Sequence, residues 1–296
     1  MSPALTAILS TFTASDGANL AIYDWPLDEG ALERGLVLVV HGLGEHAGRY
    51  ELLAAHLNGE GFAVRGFDQY GHGESDGARG RLSSPTRLLD DLGDVVASAR
   101  ARLPPALPLV LLGHSMGGLV ASWHVAQGLT PVQALVLSSP AIEAGLGPVQ
   151  KFLLATLPWV APNLAVGNGL DPQFISHDVD VVAAYLADPS VHDRISGRLA
   201  RFILEGGPHV LAHAPTWTLP TLLMYAGSDR LVDAAGSRAF AAAAPPDVVS
   251  AHCFESLYHE LFNELDAAPV FACLRGWLDA RFPRAAGGPA RAGQGP

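Results

Sequence analysis

Five apolar runs with little polar alternation constrain this chain more than any other feature: Leu36–Val40, Phe62–Phe67, Leu109–Leu112, Ala134–Leu137 and Leu222–Tyr225. A strand with one wet face alternates polar and apolar residues, so an unbroken run marks a strand covered on both faces of a parallel sheet. A mixed run at Val248–Phe254 adds a further strand. Helical patterns separate the runs at Tyr50–Asn58, Thr86–Leu103, Met116–Gln127, Ala234–Ala244 and Pro269–Ala280. Strand and helix in such alternation predict an α/β fold with a doubly wound, mostly parallel sheet. The alternating segment Thr11–Trp25 predicts an antiparallel edge hairpin. A composition that is 49% hydrophobic supplies the core this architecture needs.

One stretch breaks the rhythm. Between Ser139 and Pro220 about eighty residues hold no strand-like run and contain helical pieces instead, at Val149–Leu157, Val179–Ala187 and Ile195–Glu205. An insertion of this size is expected to form a helical lid on the carboxyl edge of the sheet, where ligands bind in such folds. The expected organisation is a core part at 1–140, a helical lid at 141–213, a second core part at 214–284 and a flexible tail at 285–296. The cluster Phe152–Leu154, Leu157, Trp159 and Val160, near the lone lysine Lys151, is expected to line an acyl tunnel, with core packing and contact with a lipid surface as the alternatives.

Residues 113–117 read Gly-His-Ser-Met-Gly, after a strand run and at the start of a helix. That is the setting in which a G-x-S-x-G pattern forms a nucleophile elbow. A serine on so sharp a turn is strained, and a Cβ at Gly113, Gly117 or Gly118 is expected to collide with the neighbouring strand or helix.

An activated serine needs a general base, and the base needs an orienting acid. With chain order Ser, acid, His, the acid is expected soon after Leu222–Tyr225. Asp229 fits, while Asp233 reads as a helix N-cap. Glu143 is a weaker alternative. His259 follows the last strand and reads as the base; His252 lies inside that strand and is expected to point into sheet packing. The oxyanion is expected to meet the amides of Met116 and of Leu43, the latter in His41-Gly-Leu-Gly44 after the first long run. Asp68, in a glycine-rich turn with Ser75, reads as a structural residue bonded to backbone.

Other chemistries are disfavoured. A net charge of −11 argues against nucleic acid as a partner. No metal is called for: His209 and His213 are spaced i, i+4 without an intervening Glu, in a stretch that reads as irregular. Gly42, Gly44 and Gly48 have the wrong spacing for a dinucleotide loop. Cys253 and Cys273 read as buried thiols rather than a disulfide. No apolar segment is long enough to span a membrane, and the first residues lack the basic start of a signal peptide, so a cytoplasmic protein is expected.

Taken together, the blocks His41–Tyr50, Asp68–Ser75, Gly113–Gly118, Gly227–Asp233 and Tyr258-His259 resemble the monoacylglycerol lipase and lysophospholipase branch of the α/β-hydrolase superfamily. The resemblance spans about residues 35–282. It implies Ser115, Asp229 and His259 as a triad, Leu43 and Met116 as the oxyanion hole, and no cofactor. It also suggests that Glu45 and Arg49 shape a polar end for a glycerol head group; a local ion pair fixing the loop is the alternative. The expected activity is hydrolysis of monoacylglycerols or similar lipid esters through an acyl-enzyme, with the lid able to touch a membrane or micelle transiently. A lysophospholipase, a broad carboxylesterase and a non-catalytic binding protein are the rivals. Dehalogenases and epoxide hydrolases place Asp at the elbow, where this chain has Ser115.

Overall fold

Six parallel strands form the centre of the sheet: β3 (Gly35–Val40), β4 (Phe62–Phe67), β5 (Leu109–His114), β6 (Ala134–Ser138), β9 (Thr221–Ala226) and β10 (Val249–Phe254). An antiparallel hairpin, β1 (Ile8–Thr13) and β2 (Asn19–Trp25), joins at the β4 side, giving the order β1-β2-β4-β3-β5-β6-β9-β10. The computed structural model describes residues 6–129, 131–143 and 161–284. The expected helix Val149–Leu157, the Phe152–Val160 cluster with Lys151, and the expected tail 285–296 lie outside the described residues.

The unbroken apolar runs are explained by two cores. In β3, Leu38 and Val40 face one cluster while Val37 and Val39 face the other. Helices α2 (Arg87–Arg102), α3 (Met116–Ala126), α5 (Gly197–His213) and α6 (Ala234–Ala243) cover the first face. Helices α1 (Glu51–Gly59) and α7 (Ala268–Arg281) cover the second. In α2 the buried residues Leu88, Leu92, Val95 and Ala99 recur at helical spacing, which puts one stripe on the sheet.

The strands end in register at one edge, where Val40 pairs with Gly113 and Gly113 with Leu137. Each loop leaving that edge therefore starts from the same line. The loop after β4 is organised by Asp68, whose buried carboxylate accepts from Ala47 N (2.7 Å), Glu74 N (2.8 Å) and Tyr23 Oη (3.3 Å). Ser75 Oγ donates to the Asp68 carbonyl and accepts from Ala21 N. The structural reading of this turn holds.

Four expectations need correction. The insert contains a two-stranded ribbon, β7 (Ala165–Gly167) with β8 (Arg194–Ser196), beside helix α4 (Val179–Ala187). Strands of three residues leave no apolar run to detect. The helix expected at Ile195–Glu205 runs instead to His213, passing through Gly206-Gly207-Pro208. The two glycines make room there: a Cβ on Gly206 would press on Trp123, and one on Gly207 would meet the Ile142 carbonyl. His209 and His213 thus lie on one helix face with their rings tilted together at 4.4 Å, and His209 lies against Trp123. Among the described residues no group of three or more His, Cys, Asp or Glu could hold a metal ion.

The third and fourth corrections concern the end of the sheet. His252 is exposed, because β10 is an edge strand and half of it faces outward. Cys253 and Cys273 are free thiols, as expected, but only half-buried. No helix among the described residues is long and apolar enough to cross a membrane.

Leu111 sits in the central strand with no exposed surface, whereas Leu265 is 71% exposed. Leu111→Ala is expected to lower the unfolding free energy by about 2–5 kcal/mol through loss of burial and a residual cavity. Leu265→Ala should stay within about 0.5 kcal/mol. Urea denaturation of both variants checks the contrast.

Candidate active site

Ser115 lies between β5 and α3 with φ 52° and ψ −122°, a conformation that favours glycine. Its neighbours hold it there. Ser115 N donates to the Ser138 carbonyl (3.0 Å), and its own carbonyl accepts from Ala141 N (2.9 Å) and Leu119 N (3.1 Å). A Cβ on Gly113 would lie 2.5 Å from the Gly117 carbonyl oxygen, one on Gly117 would overlap the Val40 carbonyl, and one on Gly118 would meet Pro140. All three glycines are demanded by close approach.

Asp229 and His259 reach the same edge from the loops after β9 and β10. His259 Nδ1 donates to Asp229 Oδ2 at 2.7 Å, both side chains buried. Asp229 Oδ1 accepts from the amides of Leu231 (2.9 Å) and Val232 (3.0 Å). Burial alone would push the Asp229 carboxyl up, but the imidazole and those amides hold it below its ordinary value. Burial likewise works against an imidazolium at His259, yet the Asp229 carboxylate outweighs it and raises the pKa above 6.5. With the proton on Nδ1, the Nε2 lone pair is free.

Ser115 and His259 both line a cleft of about 210 Å³, together with Leu43 and Glu45 of the core. The insert supplies its opposite wall, including Ile175, Tyr185, Leu186 and Val191. Met116 is the first residue of α3, so its N–H has no partner in the preceding helical turn.

The loop carrying Leu43 is braced from both sides. His41 is fully buried; its Nδ1 donates to the Gly42 carbonyl (2.7 Å) and its Nε2 accepts from Gln69 N (2.9 Å). Glu45 Oε1 accepts from Gly42 N (2.5 Å) and Tyr50 Oη (2.7 Å), and its Oε2 pairs with Arg49 Nη1 (2.6 Å). Arg49 also makes a two-pronged pair with Glu260, at 2.7 and 2.8 Å. Burial would raise the Glu45 carboxyl, but Arg49, the His114 and His41 rings and the Tyr50 hydroxyl together outweigh it and hold the carboxyl below its ordinary value. Arg49 is therefore an ion-pair centre whose two carboxylates, Glu45 and Glu260, face the cleft. Glu143 is exposed, and its carbonyl accepts from Asp233 N; Asp233 caps α6 through Ala235 N.

Sequence reasoning missed Glu260 and His114. The signal for Glu260 was a second ionisable residue directly after His259. The His114 ring lies tilted against His259 with centroids 4.7 Å apart and Nδ1 directed at the Ser138 carbonyl (3.1 Å), and burial lowers its pKa to about 4. The ring next to His259 is thus neutral and adds no like charge.

Residues 32–266 match the Hydrolase_4 family, described as serine aminopeptidase, S33. The chain belongs to this family. Within Hydrolase_4 it falls in the monoacylglycerol lipase branch of the α/β-hydrolases, an enzyme group of esterases and lipases. It is 36% identical to a monoacylglycerol lipase of Mycolicibacterium smegmatis over 90% of this chain and 95% of that one. It is 31% identical to Phospholipase YtpA of Bacillus subtilis, covering 82% of this chain and 95% of that one. The crystal structure of Paleococcus ferrophilus monoacylglycerol lipase superposes with a TM-score of 0.76 at 30% identity, covering 93% of this chain and 98% of that one.

Replacing Arg49 by Met would leave two buried carboxylates without their counter-charge. The expected cost is about 3–5 kcal/mol of stability, read as a lower urea midpoint.

Proposed function

We propose that this chain hydrolyses carboxylic esters of lipids, monoacylglycerols foremost, through an acyl-enzyme on Ser115. The observation that carries this reading is that His259, paired in the interior with Asp229, lines the same cleft as the strained Ser115. Asp229 holds Nδ1–H, so Nε2 takes the hydroxyl proton as Ser115 Oγ attacks the ester carbonyl. The oxyanion that forms is received by the Leu43 and Met116 amides, each typically worth about 10²–10³ in rate. The alcohol leaves with the proton from His259. Water, activated by the same imidazole, then releases the fatty acid.

The insert serves in this reading as a lid up to Ser196, since α5 (Gly197–His213) packs on the sheet. Its apolar contributions to the cleft, Ile175, Leu186 and Val191, suit an acyl chain, and exposed Leu164, Leu170 and Val179 suit passing contact with a membrane or micelle. Glu45 and Glu260 face the head group, with Arg49 acting through them. Asp171, Asp188 and Asp193 in the cleft wall favour an uncharged glycerol over a phosphate-bearing head group. The 31% identity to a phospholipase keeps lysophospholipid as the second reading. Turnover of a monoacylglycerol and a lysophosphatidylcholine of equal chain length separates the two.

Ser115→Ala should reduce kcat by about 10⁴-fold or more on a chromogenic short-chain ester, and a fluorophosphonate should add its mass to the Ser115 peptide of the wild type alone. Equal rates for wild type and variant would refute the enzyme mechanism. His252→Ala, on the exposed edge strand, should leave kcat unchanged.

The reaction needs a neutral His259, so activity should fall as pH drops through its raised pKa. Asp229→Asn removes the charge that raises it. The acid limb of kcat/KM should then move to lower pH, along with a loss of about 10⁴-fold in rate.

A further inference from the structure

His259 sits in a loop without regular structure, yet its two neighbouring amides are both tied down. Tyr258 N donates to Glu264 Oε1 at 2.6 Å, and Glu260 N donates to the Ile175 carbonyl at 2.8 Å. Ile175 belongs to the insert. Glu264 also connects to the insert: its Oε1 accepts from His177 Nδ1 (2.9 Å) and its Oε2 from His177 N (3.1 Å). The Glu264 side chain is 1% exposed, so these donors are its replacement for water.

More contacts join the same two stretches. Ser176 Oγ donates to the Asn263 carbonyl at 2.8 Å. The His177 ring stacks on Tyr258 at 3.6 Å, Phe174 meets Tyr258 edge-on at 5.8 Å, and the Arg230 guanidinium lies 4.7 Å from the Phe174 ring. One buried carboxylate therefore holds the backbone on one side of His259 and the insert strap that holds the other side.

We propose that Glu264 is a positioning residue for the general base, and that the insert's Phe174–Asp178 strap is the second half of the seat it organises. This deepens the reading of His259 as base and rests on it. The strap is then a fixed splint under the reacting imidazole. Loosening the seat misplaces Nε2 relative to Ser115, and a displacement of about 1 Å can cost about 10²-fold in rate. It also weakens the Asp229–His259 contact. The other groups facing His259 are Glu260 and Glu45, both compensated by Arg49, and the neutral ring of His114. None of these side chains bonds to Glu264 or His177, so a change in the imidazole's titration reports the Asp229 contact.

The test is steady-state hydrolysis of p-nitrophenyl butyrate across pH by the full chain, comparing wild type with Glu264→Ala, Glu264→Gln and His177→Ala, with thermal melts alongside. Glu264→Ala should lose up to about 10²-fold in kcat with KM within about twofold, and its acid limb should move to lower pH. Glu264→Gln should recover part of kcat, because its amide oxygen can still accept from Tyr258 N. His177→Ala, which leaves the Glu264–Tyr258 bond, should shift kcat and the acid limb the same way by a smaller factor. A folded Glu264→Ala with wild-type kcat and acid limb overturns the proposal. Should that variant fail to fold, His177→Ala decides: wild-type kcat and acid limb there overturn it as well. Activity surviving in Ser115→Ala would instead sink the serine mechanism, a separate outcome.

Discussion

The backbone at Ser115 is the constraint on which the rest of the site is built. A non-glycine residue at φ 52° typically costs about 1–3 kcal/mol and persists only where its surroundings over-determine it. Here the end of β6 and the turn after it grip the residue from two sides, through Ser138 and Ala141, and α3 begins within touching distance of β3 because Gly117 has no side chain. The strain is thus offset by the packing of three strands and a helix. Local softness would let the serine relax into an ordinary turn and turn its hydroxyl from the cleft.

Around that fixed point the structure places charge with care. Glu45, Arg49 and Glu260 form a buried trio in which each carboxylate has the same guanidinium as partner. Buried ions are costly unless paired and hydrogen-bonded, and Glu45 meets both conditions while also holding Gly42 N. The ion pair and the loop that carries Leu43 are therefore one unit. His114, forced neutral by burial, fills the space beside His259 without competing for its proton.

Most of the sheet was legible because burial on both faces erases polar alternation, and β3, β5, β6 and β9 show it plainly. Ser115 and Asp229 could be singled out since each follows the end of such a strand, and His259 since it follows the mixed run that became β10. What escaped notice lacked a local signal. The β7–β8 ribbon is held by pairing between residues about thirty apart. The last turns of α5 run through Gly-Gly-Pro, residues that ordinarily end a helix, and persist because the glycines let the helix approach Trp123 and Ile142. The exposure of His252 depends on β10 being the outermost strand, which only the strand order reveals. Glu264 and His177 are unremarkable in sequence; their meaning arises from contact between segments 87 residues apart.

The cleft has two walls of separate origin, one from the sheet's loops and one from the insert. Such a division lets evolution, or an engineer, recombine the upper wall with that of a relative while the lower one is inherited intact. Phe174–Asp178 limits this modularity, as do the contacts of Asp188 with His46 and of His192 with Gly44. A chimera with a foreign upper half would have to carry these residues over, or co-transplant the matching stretches of the core, for the two halves to remain compatible.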